Sequence, residues 1–143
     1  MPTADEPPPL RIGALAAAVG LNPKTIRYYE TLGLLPAPRR TATGYRLYGE
    51  ADREQLGFIL KAKAVGLTLT EIGEVLALRR AGEPPCGRVL ALLDEKLAAV
   101  DRQLQALSAF RRELVALKAS AGAAMDRPAP VCAILERPVP QPA

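Results

Sequence analysis

Between Cys86 and Ser120 apolar residues recur every three or four positions: Leu90, Leu93, Leu97, Val100, Leu104, Leu107, Leu114 and Leu117. That interval is the period of one helix face, and no Gly or Pro interrupts it after Gly87. The pattern predicts a continuous helix over 86–120, roughly 33 residues and about 50 Å long. A helix of this length with one apolar seam needs a partner helix. Nothing else in a chain of 143 residues is large enough to cover it.

Shorter patterns precede it. Ile12, Leu15, Ala16 and Val19 share one face of a short Ala-rich helix that ends in Gly20-Leu21. Asn22 then offers an N-cap, and Pro23 suits a first helical position, where a missing N–H costs nothing. The helix from Pro23 to about Leu32 turns Ile26 and Tyr29 inward towards Leu15 and leaves Lys24, Arg27 and Tyr28 outside. Two short helices joined by a tight turn, the second basic on its outer face, describe a helix-turn-helix. Gly33 to Pro38 stops the second helix. Arg39 to Tyr48 then reads as a basic hairpin with its tip near Gly44, the position of a wing. Tyr45 and Tyr48 add hydroxyl contacts there or pack the wing down. A further helix runs from Glu50 to Val65, with Leu56, Ile59 and Leu60 on its buried face. Thr68-Leu69-Thr70-Glu71 forms a capping box that opens a helix to about Arg80. Gly82, Pro84 and Pro85 break the chain before the long helix. After it come Gly122, a loop over 123–131, the short apolar piece Cys132 to Leu135 and a Pro-rich end.

Composition narrows the classes. Hydrophobic residues at 49% exclude a disordered chain, and 4% aromatic residues with abundant Leu, Ala and Val favour helix. No segment approaches the roughly 20 apolar residues of a membrane span, and Met1 to Pro9 lacks the apolar core of a secretory signal. A cytoplasmic, nucleoid-associated protein without membrane partners is expected. There is no histidine, no phosphate-binding glycine loop and no Ser/His/Asp arrangement, so an enzyme is not expected. The net charge of +4 matters through its placement. Lys24 to Arg46 holds five basic residues against one acid, Glu30, an excess that equals that of the whole chain. Such a window is either a solvated face or a phosphate-contacting surface.

Arg11-Ile12-Gly13, Gly20-Leu21, Thr25-Ile26-Arg27-Tyr28-Tyr29-Glu30, Gly33-Leu34-Leu35, Gly44-Tyr45-Arg46-Leu47-Tyr48 and Gly66-Leu67-Thr68-Leu69-Thr70-Glu71-Ile72 follow one another at the right spacing over about 10–80. In these motifs the chain resembles the MerR-type winged helix-turn-helix of bacterial transcription regulators, in its metal-responsive branch. The resemblance implies a mainly α protein. It comprises a flexible arm (1–9), a winged helix-turn-helix (10–80), a long antiparallel coiled-coil dimerisation helix (86–120), an effector-binding loop (121–136) and a disordered tail (137–143). It also implies a homodimer on a palindromic promoter spacer, which distorts the double-stranded DNA for RNA polymerase when its effector binds. Carried onto matching positions, Lys24, Thr25, Arg27 and Tyr28 face the major groove, and Arg39, Arg40, Arg46 and Tyr48 serve the wing.

The two cysteines are expected as thiols rather than a structural disulfide in a reducing compartment. Cys86 opens the long helix, where the helix dipole favours anions, and Cys132 lies beyond its other end. Helix length separates them within one chain. In the antiparallel pair that the resemblance implies, Cys86 of one protomer approaches Cys132 of the other, giving two equivalent sites. Soft thiolates select Hg(II), Cd(II), Pb(II), Zn(II) or Cu(I). In the family that the chain resembles, a cysteine at the position of Cys86 marks sensors of divalent ions, so Hg(II), Cd(II), Pb(II) or Zn(II) is the expected effector. The family's cysteine at the end of the long helix is absent; that stretch reads Leu114-Val115-Ala116-Leu117-Lys118. Two thiolates suit linear Hg(II), whereas the other ions need a third ligand from Met125, Asp126 or water. The competing readings are a regulator that responds to thiol oxidation or an organic ligand, and a metal-buffering helical dimer without a DNA role.

Overall fold

The computed structural model describes residues 7–136, so the expected tail over 137–143 and most of the arm lie outside the described residues. The chain divides into two units, one ending at Leu93 and one beginning at Asp94.

The first unit is built on short helices with well-marked ends. Strand β1, Leu10–Arg11, leads directly into α1, Ile12–Val19. Helix α1 stops at Gly20, whose φ of 70° lies in the left-handed region that a side chain disfavours. Helix α2, Pro23–Thr31, starts as expected, with the Lys24 amide donating to Asn22 Oδ1 at 2.9 Å and Pro23 in its first turn. Leu15 and Ala16 of α1 and Ile26 and Tyr29 of α2 are buried in one core. Helix α3, Glu50–Ala64, adds Leu56, Ile59 and Ala62 to that core, and α4, Leu69–Arg80, adds Ile72, Val75 and Leu76.

The capping box of α4 is complete. The Glu71 amide donates to Thr68 Oγ1 at 3.2 Å, and the Thr68 amide donates to Glu71 Oε2 at 2.8 Å. Thr68→Ala removes one of these acceptors, with an expected loss of about 1 kcal/mol read as a lower midpoint in urea unfolding.

The wing differs from a simple hairpin. Strands β2, Arg39–Arg40, and β3, Arg46–Tyr48, pair antiparallel, and β1 adds a third strand in the order β1-β3-β2. Leu10 faces Tyr48 and Arg11 faces Leu47 across the new pairing. A strand of two residues carries no periodicity, so it left no trace in the hydrophobic pattern. Its effect is to pair the edge of β3 that a two-stranded wing leaves open.

Helix α5, Cys86–Ala119, spans 34 residues and begins in the first unit. Its opening turns are anchored there by Leu92, fully buried in the core, and by Arg88, whose Nη2 lies 2.8 Å from Glu74 Oε2 on α4.

The second unit holds the rest of α5 and the segment after it. The stretch expected to be a loop contains a short helix, α6, Ala121–Met125. Three alanines in these five residues favour helix, while Gly122 obscured the pattern in the sequence. The chain then turns, with the Glu136 amide donating to the Cys132 carbonyl at 3.1 Å. Along α5 the expected seam is uncovered in the single chain: Leu97, Leu104 and Leu107 are about 60% exposed, at 62, 59 and 65%.

Candidate nucleic-acid interface

Helix α2 splits its residues by chemistry. Ile26 and Tyr29 are fixed in the core, which leaves Lys24, Arg27 and Tyr28 exposed and Thr25 half-buried at the helix's start. The buried face therefore sets which side chains reach solvent. Two cations, a hydroxyl and a phenol on one short helix suit a groove edge and its flanking phosphates.

The wing presents Arg39 and Arg40 on β2, both exposed. Arg40 Nη1 donates to the Gly44 carbonyl at 2.9 Å, and Thr41 Oγ1 accepts from the Tyr45 amide at 3.0 Å, so the tip is tied internally. Gly44, at φ 87°, supplies the left-handed residue that this turn requires. Arg46 is half-buried on β3.

Of the two roles open to Tyr48, contact through its hydroxyl or packing of the wing, its position fits packing. It is 1% exposed, and its hydroxyl donates to Glu30 Oε1 rather than facing a ligand. Burial pushes its phenol pKa well up, reinforced by the hydrogen bond to Glu30 and that residue's negative charge, and partly offset by Arg46 and Arg27. The phenol thus stays neutral and acts as a donor. Its role is to pack the wing, because alternation on β3 sends Tyr48 inward with the core.

Two wing and helix residues were not picked out as site residues. The guanidinium of Arg11 lies 4.5 Å from the centre of the Tyr45 ring, which is itself 54% exposed. This stacking adds another cation to the wing's outer surface. Glu30, at the last turn of α2, accepts from both Tyr48 and Arg46. The available signal was its standing as the one acid in a basic window.

The cysteines are both free thiols, Cys86 exposed at the first residue of α5 and Cys132 half-buried in the final turn. Met125 is 69% exposed at the end of α6, and Asp126 is exposed at its C-cap. Among the described residues no three His, Cys, Asp or Glu side chains form a group able to hold a metal ion. The donor chemistry of two thiols fits a soft cation.

Residues 10–78 match the family described as MerR HTH family regulatory protein, and residues 53–117 match the family described as MerR, DNA binding. The chain is 39% identical over 97 residues to the mercuric resistance operon regulatory protein of Bacillus cereus, covering 68% of this chain and 74% of that one. It is 35% identical over 102 residues to the transcriptional regulator ZntR homolog of Haemophilus influenzae, covering 71% and 76%. Among solved structures, the regulator PbrR691 of Ralstonia metallidurans in complex with lead(II) superposes with a TM-score of 0.72 at 39% identity, over 88% of this chain and 96% of that one.

Proposed function

The chain belongs to the MerR family of helix-turn-helix regulators, and on that premise we propose that it binds a palindromic promoter spacer as a homodimer and answers a soft divalent metal ion. The observation that carries this reading is an uncovered apolar seam on α5 with one free thiol at its first residue and another beyond its end. An antiparallel pairing of two such helices covers both seams and brings Cys86 of one protomer towards Cys132 of its partner. Cys86 of one protomer and Cys132 of its partner would hold the ion, with Met125, Asp126 or water as a further ligand, and the ion would supply a soft Lewis acid matched to thiolate donors.

The relatives named for mercury resistance and for lead(II) binding support an effector from the set Hg(II), Cd(II), Pb(II) and Zn(II). Linking two protomers favours whichever dimer geometry suits the ion best, and the DNA-binding heads move with the long helices that carry them. Bending the spacer costs a few kcal/mol of order, which cationic wings recover in phosphate contacts. The distorted spacer is the form that RNA polymerase uses.

The DNA half of the proposal rests on α2 and the wing. The direct test is gel retardation of a palindromic duplex selected by the protein from a randomised spacer pool. Arg27→Ala is expected to weaken that binding by about 10- to 100-fold, the range for one lost groove contact. Unchanged binding in this variant removes α2 from the interface.

A further inference from the structure

We propose that Glu30 is a positioning residue which holds the wing against α2, so that the helix and the wing meet one DNA duplex in a fixed register; the inference rests on the DNA-binding reading above. An acid among five cations on a surface that approaches phosphates is unfavourable on charge alone. The structure shows what offsets it. The Glu30 side chain is only 11% exposed, and both of its carboxylate oxygens are engaged. Oε1 accepts from the Tyr48 hydroxyl, and Oε2 accepts from Arg46 Nε at 3.3 Å. Arg46 and Tyr48 are two apart on β3, so strand alternation places both on the same side of the wing. One carboxylate at the end of α2 therefore clamps β3 at two points. Arg27 stands one helical turn before Glu30 on α2, and Arg40 pairs with Arg46 across the wing. The clamp lies between the groove-facing helix and the wing's exposed cations.

The sign of the effect separates positioning from charge. Glu30→Gln removes a negative charge, and simple electrostatics predicts tighter binding to every duplex, with steeper salt dependence. Positioning predicts the reverse for the selected palindrome: about tenfold weaker binding, as one charge-assisted contact is lost, with binding to a random-sequence duplex unchanged or tighter. Tyr48→Phe removes the other contact without changing charge and is expected to weaken the palindrome alone. The double variant is expected to lose no more than the worse single one, because both break the same clamp. Hydroxyl-radical footprints of either variant should lose protection at the outer, wing-contacted phosphates and keep it at the half-site centres.

Three results overturn the proposal. The first is Glu30→Gln binding the palindrome as tightly as the wild type or more so. The second is an equal loss on palindrome and random duplex in both variants, which marks a general structural defect. The third is a wild-type protein that selects no palindrome, which overturns the DNA-binding reading together with this one.

Discussion

Leu104→Asp is expected to convert the proposed dimer into a monomer that no longer retards the selected palindromic duplex. Leu104 lies close to the middle of α5 and of its apolar stripe, and it is 59% exposed in the single chain. In an antiparallel pair the middle of one seam faces the middle of the other, so a single substitution places two carboxylates near the two-fold axis. Each leucine withdrawn from burial costs ~2 kcal/mol before any charge is counted, or ~4 kcal/mol for the pair. That corresponds to roughly a thousandfold weaker association. Analytical ultracentrifugation measures the shift directly, and circular dichroism checks that the helices remain. The heads of the variant keep their own core, because Leu15, Ile26 and Ile59 have no part in the seam. Weak, non-palindromic DNA binding should therefore survive. A variant that sediments as the wild-type dimer would remove α5 as the dimer axis.

Cys86→Ser and Cys132→Ser are each expected to reduce metal-dependent transcription from a reporter to the uninduced level, while palindrome binding stays intact. The residues of α2 and the wing that we propose face DNA lie in elements that contain neither cysteine. Serine preserves size but offers a hard, neutral hydroxyl in place of a soft thiolate. Mixing the two variants gives a sharper result. A heterodimer with Cys86→Ser in one protomer and Cys132→Ser in its partner has one cross-protomer site with both thiols and one with neither. About half of the metal-binding capacity should return, seen as thiolate–metal charge-transfer absorption in titrations with Hg(II), Cd(II), Pb(II) and Zn(II). No recovery in the heterodimer would rule out pairing across protomers. Induction by oxidant with metal withheld would identify the thiols as a redox pair instead.

Much of the head was legible in the chain because its signals are local. Asn22 with Pro23, Thr68 with Glu71, and the glycines at 20 and 66 act through bonds and dihedral angles within a few residues of themselves. The 3.6-residue period of α5 repeats often enough to survive Arg111 in its stripe. The third wing strand and α6 were not legible, being two and five residues long, too short for any period to register. Which of its two open roles Tyr48 takes was not legible for a related reason. Alternation around Tyr45-Arg46-Leu47-Tyr48 says that neighbours face opposite ways, and it does not say which face is inside. The core decided that, by drawing in Tyr48 and leaving Tyr45 outside.

By itself the sequence determined the approximate extents of α1 to α5, the basic surface and the need of α5 for a partner, since each depends on spacing along the chain, and its motifs carried the resemblance to the family. Only the tertiary structure decided which basic-window residues are exposed and which side chains tie the wing to α2. Glu30 meets Arg46 and Tyr48 across 16 and 18 residues. A contact of that span forms because packing brings α2 and β3 together, and no local period encodes it.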